Sequence, residues 1–94
     1  MIVTIAVPGV LRECAGGRST IPIDVPDGAT IGDVLNRLAE DFPALERRVR
    51  DERGSIRRHV NVFVGDTNVR DAALLATPAR SADEVIILPS VSGG

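Results

Sequence analysis

The segment TIGDVLNRLAEDFP, residues 30–43, predicts the one long helix around which this chain folds. Thr30 occupies the N-cap position and Asp33 lies three residues further on, as in a capping box. The apolar residues behind them recur at helical spacing and share one face: Ile31, Val34, Leu35, Leu38, Ala39 and Phe42. Pro43 ends the helix, because the residue before a proline disfavours helical backbone. The rest of the chain must supply a sheet that covers this apolar face.

Short β-branched segments on both sides of the helix predict that sheet. The strands are predicted at residues 2–7, 20–25, 60–64, 69–70 and 84–88. The first two form a hairpin through a loop at residues 10–19, and Pro22, which lacks an N–H, places the second strand at a sheet edge. A short second helix is predicted from Leu45 to near Gly54. This order of elements is typical of the α+β class.

The composition indicates a single small domain, residues 1–94. Apolar residues make up 44% of the chain, but there are only two Phe and no Trp or Tyr, so Val, Ile, Leu and Ala must form the core. The net charge is −2, which argues against a nucleic-acid partner. No apolar segment approaches the roughly 20 residues that span a bilayer. With no signal-peptide pattern either, we expect a cytoplasmic protein without a membrane partner.

All eleven basic residues are Arg, and the absence of Lys excludes two classes of enzyme. A P-loop nucleotide hydrolase needs its phosphate-binding Lys, and a Schiff-base enzyme needs a Lys amine. His59 and Cys14 are the only residues of their kinds, so neither a His/Cys metal site nor a disulfide within the chain is expected. These counts point away from catalysis by the chain itself.

The C-terminal segment DEVIILPSVSGG, residues 83–94, carries the most informative pattern. Its two final glycines bury no side chain and lose much conformational freedom when ordered, yet they let a backbone enter a narrow channel. The segment resembles the closing signature of the ThiS/MoaD family of sulfur carriers. Residues 63–69 resemble a second segment of that family, with Gly65 in place of the usual Asn. The order of elements agrees over the whole chain.

The resemblance implies the ubiquitin-like β-grasp fold, with a mixed sheet of four to five strands packed on one main helix and residues 89–94 as an extended tail. It implies that an E1-like enzyme uses ATP to adenylate the carboxylate of Gly94, which a sulfur donor then converts to a thiocarboxylate. The residues implied to give the tail access to its partners are Gly93, Ser92, Val91 and Pro89. The chain itself would bind no cofactor and no metal, and would contain no catalytic residue.

Three further segments resemble the CysO-type carriers of actinobacteria: residues 10–12, 58–64 and 75–77. The Arg-rich residues 44–59 also fit that group. The implied pathway is cysteine biosynthesis, in which a pyridoxal-dependent synthase is the sulfur acceptor and a metal-dependent peptidase releases the product. Thiosugar pathways use similar carriers. Three alternatives stay open: a ubiquitin-like protein modifier, the small subunit of molybdopterin synthase, and a β-grasp binding module.

The alternation of strand faces predicts a surface for these partners. If Val85 and Ile87 face the helix, Ile86 and Leu88 point away from it and form an exposed apolar patch with Phe63. Such a patch on a small domain usually marks a partner site. The alternative is that loops cover both faces of the sheet.

The Arg-rich stretch, which includes Arg57 and Arg58, suggests a second contribution to partner binding. A cluster of positive charge steers an acidic surface of a partner, although such a run is also typical of a solvated face. We expect the chain to be a monomer that binds its partners in turn.

Overall fold

Five strands form one mixed sheet in the order β2-β1-β5-β3-β4 in a computed structural model that describes residues 1–89. The strands are β1 (Ile2–Ala6), β2 (Thr20–Asp24), β3 (Val60–Val64), β4 (Thr67–Asn68) and β5 (Val85–Pro89). The central strands β1 and β5 are parallel, and the other neighbouring pairs are antiparallel. The N-terminal hairpin and the edge position of β2 are confirmed, as is the α+β class.

The predicted helix is α1 (Ile31–Asp41), and its capping box is present. The backbone N–H of Asp33 donates to Thr30 Oγ1 at 3.2 Å, and the N–H of Thr30 donates to Asp33 Oδ2 at 2.9 Å. The apolar face of α1 packs against the sheet. Its fully buried residues are Ile31, Val34, Leu35 and Leu38.

Every strand except β4 contributes alternate side chains to the core beneath α1. These buried residues are Val3, Ile5, Ile21, Ile23, Val60, Val62, Val64, Val85 and Ile87. None of them is aromatic, and Phe42 only packs against the edge of this cluster. The prediction of an aliphatic core is therefore confirmed.

The second helix, α2 (Pro43–Val49), is shorter than predicted and ends five residues before Gly54. Asp51 explains the early end, because its Oδ1 accepts hydrogen bonds from the backbone N–H groups of Arg53 and Ser55. A short acidic side chain that bonds to nearby backbone stabilises a turn at the expense of helix.

Two further predictions were wrong in detail. The small strand lies at Thr67–Asn68, two residues earlier than predicted, and Val69–Asp71 form a 3₁₀ turn in which Asn68 Oδ1 accepts from the N–H of Arg70 at 3.0 Å. The segment predicted as a plain loop contains a 3₁₀ helix at Gly9–Ala15. That helix buries Leu11 and Ala15, a tertiary contact that local sequence pattern does not report.

Candidate functional site

The side of the sheet that faces away from α1 holds the predicted apolar patch. Phe63 on β3 lies directly opposite Ile86 on β5, and both side chains are half-buried. Leu88 follows on the same face of β5 and is 45% exposed. The structure therefore brings these three residues together on one open face, which we call the outer face. Their role in partner binding stays a prediction.

The outer face includes the last residues of β5, a strand that extends past the end of its neighbour β1. β1 pairs with β5 only at Ile5–Val85 and Ala6–Ile86, whereas β3 pairs with β5 along its whole length. The last residues of β5, Leu88 and Pro89, are thus paired with β3 alone. The described chain ends on a strand that projects past its central neighbour.

Pro89 lies at a position of the sheet where its missing N–H costs no interstrand hydrogen bond. It lies opposite Val60, whose own N–H donates to Arg57 O at 3.0 Å and whose carbonyl accepts from Arg70 Nη2 at 2.7 Å. Both backbone groups of Val60 therefore bond away from β5. A proline opposite such a residue forfeits no ladder hydrogen bond.

Arg70 organises this end of the sheet, and the sequence analysis did not single it out. Besides Val60 O, its Nη2 contacts Arg57 O at 2.7 Å, and its Nε contacts Asn61 Oδ1 at 3.3 Å. Asn61 Oδ1 also accepts from Asn68 Nδ2 at 3.2 Å. One sequence signal for this network was available, since Asn61 is a polar residue within a strand of Val and Phe.

The two predicted Arg residues lie just before β3 and differ in their surroundings. Arg57 is half-buried, and its Nε donates to Arg47 O at 2.8 Å in the last turn of α2. Arg58 is exposed. A surface cleft beside them is lined by Arg47, Arg48, Arg57 and His59, which we call the basic cleft.

Of the predicted tail residues, only Pro89 lies within the described part of the chain, where it is half-buried. The others lie outside the described residues: Val91, Ser92, Gly93 and Gly94.

Residues 1–89 contain no cluster of three or more His, Cys, Asp or Glu side chains that could hold a metal ion. Within the same range, no helix is both long enough and apolar enough to cross a membrane. Cys14 is half-buried with a free thiol, and His59 is exposed.

Comparison with known proteins gives matches over almost the entire chain. The model of the ThiS family matches residues 5–94. The sulfur carrier protein CysO of Mycobacterium tuberculosis (strain H37Rv) is 35% identical over 96 residues that cover all of both chains. Small archaeal modifier protein 1 of Haloferax volcanii is 40% identical over 84 residues, 89% of this chain and 91% of that protein.

Solved structures agree with these sequence matches. A chain of the Amycolatopsis orientalis BexX/CysO complex superimposes with a TM-score of 0.85 at 29% identity, covering 98% of this chain and 99% of that one. The similarity confirms the predicted β-grasp fold.

Proposed function

The chain belongs to the ThiS family of sulfur carrier proteins, and on that basis we propose that Gly94 carries sulfur as a C-terminal thiocarboxylate. The observation that carries the proposal is the extent of the similarity, since the family match reaches residue 94 and the CysO alignment covers both chains completely. The diglycine of residues 93–94 is therefore part of the matched region.

The chemistry requires a partner, because an ionised carboxylate is a poor electrophile. An E1-like enzyme joins the Gly94 carboxylate to the α-phosphate of ATP and releases pyrophosphate, which gives an acyl-adenylate. Sulfide then forms a C–S bond at the same carbonyl carbon as the C–O bond to AMP breaks, and AMP leaves. The resulting thiocarboxylate delivers its sulfur as a nucleophile. The chain contributes the acyl group and a docking surface, while the partner supplies the nucleotide site.

The fold supports this division of labour. β5 projects beyond β1, and Pro89 lies at its projecting end. Phe63, Ile86 and Leu88 lie on the open face of the same strands. A partner that covers the outer face would also lie beside Pro89, the last described residue.

The pathway that we propose is cysteine biosynthesis, as suggested by the CysO relatives. The acceptor is then a synthase that holds an activated serine derivative, and a metal-dependent peptidase releases the product from the carrier. Delivery to a second acceptor, such as a thiosugar synthase, uses the same thiocarboxylate.

A second candidate function is protein modification, and the 40% identity to small archaeal modifier protein 1 favours it. The activation step is the same, but the acyl group ends in an isopeptide bond to a Lys side chain of a target protein. This chain has no Lys, so such a modifier could not extend itself into Lys-linked polymers.

Intact-mass spectrometry tests the proposal. The protein is incubated with the E1-like enzyme of its own organism, ATP and sulfide, after its C-terminal peptide has been sequenced. We expect the mass to rise by the difference between one sulfur and one oxygen, and the gain to map to Gly94. A variant that lacks Gly94 is the matched control and should show no gain.

The same samples separate the two candidate functions. An unchanged mass with an active E1-like enzyme would overturn the carrier proposal. Peptides from other proteins in which a Lys side chain is joined to the carboxyl group of Gly94 would establish the modifier instead; after cleavage at Arg80, residues 81–94 remain attached to that Lys.

A further inference from the structure

We infer that the basic cleft is a docking site for an acidic segment of the activating enzyme. The inference rests on the proposed function, and it adds the chemistry of the surface that the partner must present. The cleft combines side chains from two elements, Arg47 and Arg48 from the last turn of α2 and Arg57 and His59 from the segment before β3.

The Arg side chains of the cleft form no ion pair among residues 1–89, although Glu46, Asp51 and Glu52 line a neighbouring cleft together with Arg47 and Arg57. Among residues 1–89, the Arg ion pairs involve Arg37, Arg50 and Arg80, none of which lines the cleft. Glu46 is the nearest acidic residue on α2, but it pairs with Arg50, and both side chains are largely buried. The guanidinium groups of the cleft therefore have no carboxylate partner in the described part of the chain.

Arg57 is held in place before any partner arrives. Its Nε donates to Arg47 O, its backbone N–H donates to Val49 O at 2.9 Å, and its carbonyl accepts from Arg70. An Arg fixed in this way presents its remaining donors with little further loss of conformational entropy, which favours binding.

The surroundings favour carboxylates on a protein over a free phosphate. The last turn of α2 turns carbonyl oxygens toward Arg57, as the Arg47 contact shows, and the C-terminal end of a helix carries partial negative charge. Phosphate sites usually use backbone N–H groups at a helix N-terminus or a nest. This cleft offers Arg and His side chains instead. The exposed side chains of Arg47 and Arg48 suit Asp and Glu side chains on a facing surface.

The position of the cleft fits this role. His59 directly precedes Val60, and Val60 lies opposite Pro89, the last described residue. An acidic segment in the cleft would hold the carrier at the end of the sheet where Pro89 lies. The outer face supplies apolar contact area, while the cleft accelerates association and sets orientation.

Binding kinetics with the E1-like enzyme test the inference. The test variant combines Arg47→Gln with Arg48→Gln, because neither side chain makes a hydrogen bond or ion pair within residues 1–89. The matched control combines Arg18→Gln with Arg80→Gln, which removes the same two charges from exposed residues that do not line the cleft. Of these two, Arg80 lies 3.8 Å from a carboxylate oxygen of Asp83. Association rates are measured from about 0.01 M to about 1 M ionic strength, a range that shortens the Debye length from about 30 Å to about 3 Å.

We expect the test variant to associate about tenfold more slowly than the wild type at low ionic strength, and the difference to vanish at high ionic strength. The control should match the wild type throughout. Equal rates for the test variant and the control at low salt would overturn the inference. So would a deficit that persists at high salt, or saturable binding of inorganic pyrophosphate to the carrier alone that the test variant loses.

Adenylation measured in the same samples separates this inference from the proposed function. Charge-dependent binding of a wild-type chain that is never adenylated would support the docking site and overturn the carrier proposal. Normal adenylation together with binding that does not depend on charge would support the carrier proposal and overturn the docking site. A wild-type chain that neither binds nor is adenylated would overturn both.

Discussion

Arg70 donates a 2.7 Å hydrogen bond to the carbonyl oxygen of Val60, the residue that lies opposite Pro89 in the sheet. The same guanidinium also contacts Arg57 O and Asn61 Oδ1. One exposed side chain thus joins the segment before β3 to the first two residues of β3. β3, the strand that pairs with the end of β5, is thus held by a side chain from the 3₁₀ turn Val69–Asp71, which follows β4 along the chain.

Replacement of Arg70 should therefore destabilise the protein. We expect Arg70→Ala to lower the free energy of unfolding by about 1–2 kcal/mol, because the carbonyls of Arg57 and Val60 lose a charged donor at a site that solvent still reaches. Arg70→Lys keeps the charge but not the planar fork, so it should recover less than half of the loss. Urea denaturation measures both, and an Arg70→Ala variant as stable as the wild type would contradict the assignment.

Substitutions on the outer face should slow adenylation by the E1-like enzyme without lowering the stability of the fold. Leu88 is 45% exposed on β5, and Leu74 is 48% exposed in a 3₁₀ helix that contacts α1 on the other side of the sheet, so the two side chains form a matched pair. We expect Leu88→Ala to lower kcat/KM for adenylation by about tenfold, the value of a moderate interface contact. Leu74→Ala should leave it unchanged. Similar losses for both variants would argue against a docking role for the outer face.

Gly65 should resist substitution because of its backbone conformation. Its φ is 58°, and a Cβ added there would lie 3.1 Å from Asp83 Oδ1. We expect Gly65→Ala to cost about 1–2 kcal/mol of stability. Gly65→Asn should cost less, because Asn tolerates this left-handed region. Thermal unfolding compares the two, and equal losses would show that the contact with Asp83 outweighs the backbone preference.

The capping box of α1 gives a prediction that is independent of function. Thr30→Ala removes the acceptor for the N–H of Asp33 and should destabilise the protein by about 1 kcal/mol. Thr30→Ser keeps the hydroxyl and should stay within a few tenths of a kcal/mol of the wild type. Denaturant titration of both variants is the measurement. A Thr30→Ser loss as large as that of Thr30→Ala would place the effect elsewhere, for example at the bridge between Thr30 and Pro78.

Local patterns predicted the elements that depend on them. The helical spacing from Ile31 and the cap at Thr30 located α1, and the alternation in residues 84–88 assigned Ile86 and Leu88 to the outer face. The end of α2 and the place of β4 were harder, because Asp51 and Asn68 form side-chain bonds that compete with regular backbone structure. The 3₁₀ helix at Gly9–Ala15 depends on burial against elements far along the chain.

The sequence by itself determined the fold class, the aliphatic core, the absence of Lys and the family signature at residues 83–94, because periodicity, composition and motif are local properties. Only the tertiary structure decided which residues meet. It placed Phe63 opposite Ile86, aligned Pro89 with Val60, and directed Arg70 to the backbone of β3. Strand register and long side-chain contacts join residues distant along the chain, and the free energy that selects them arises from burial and hydrogen bonding in the assembled sheet.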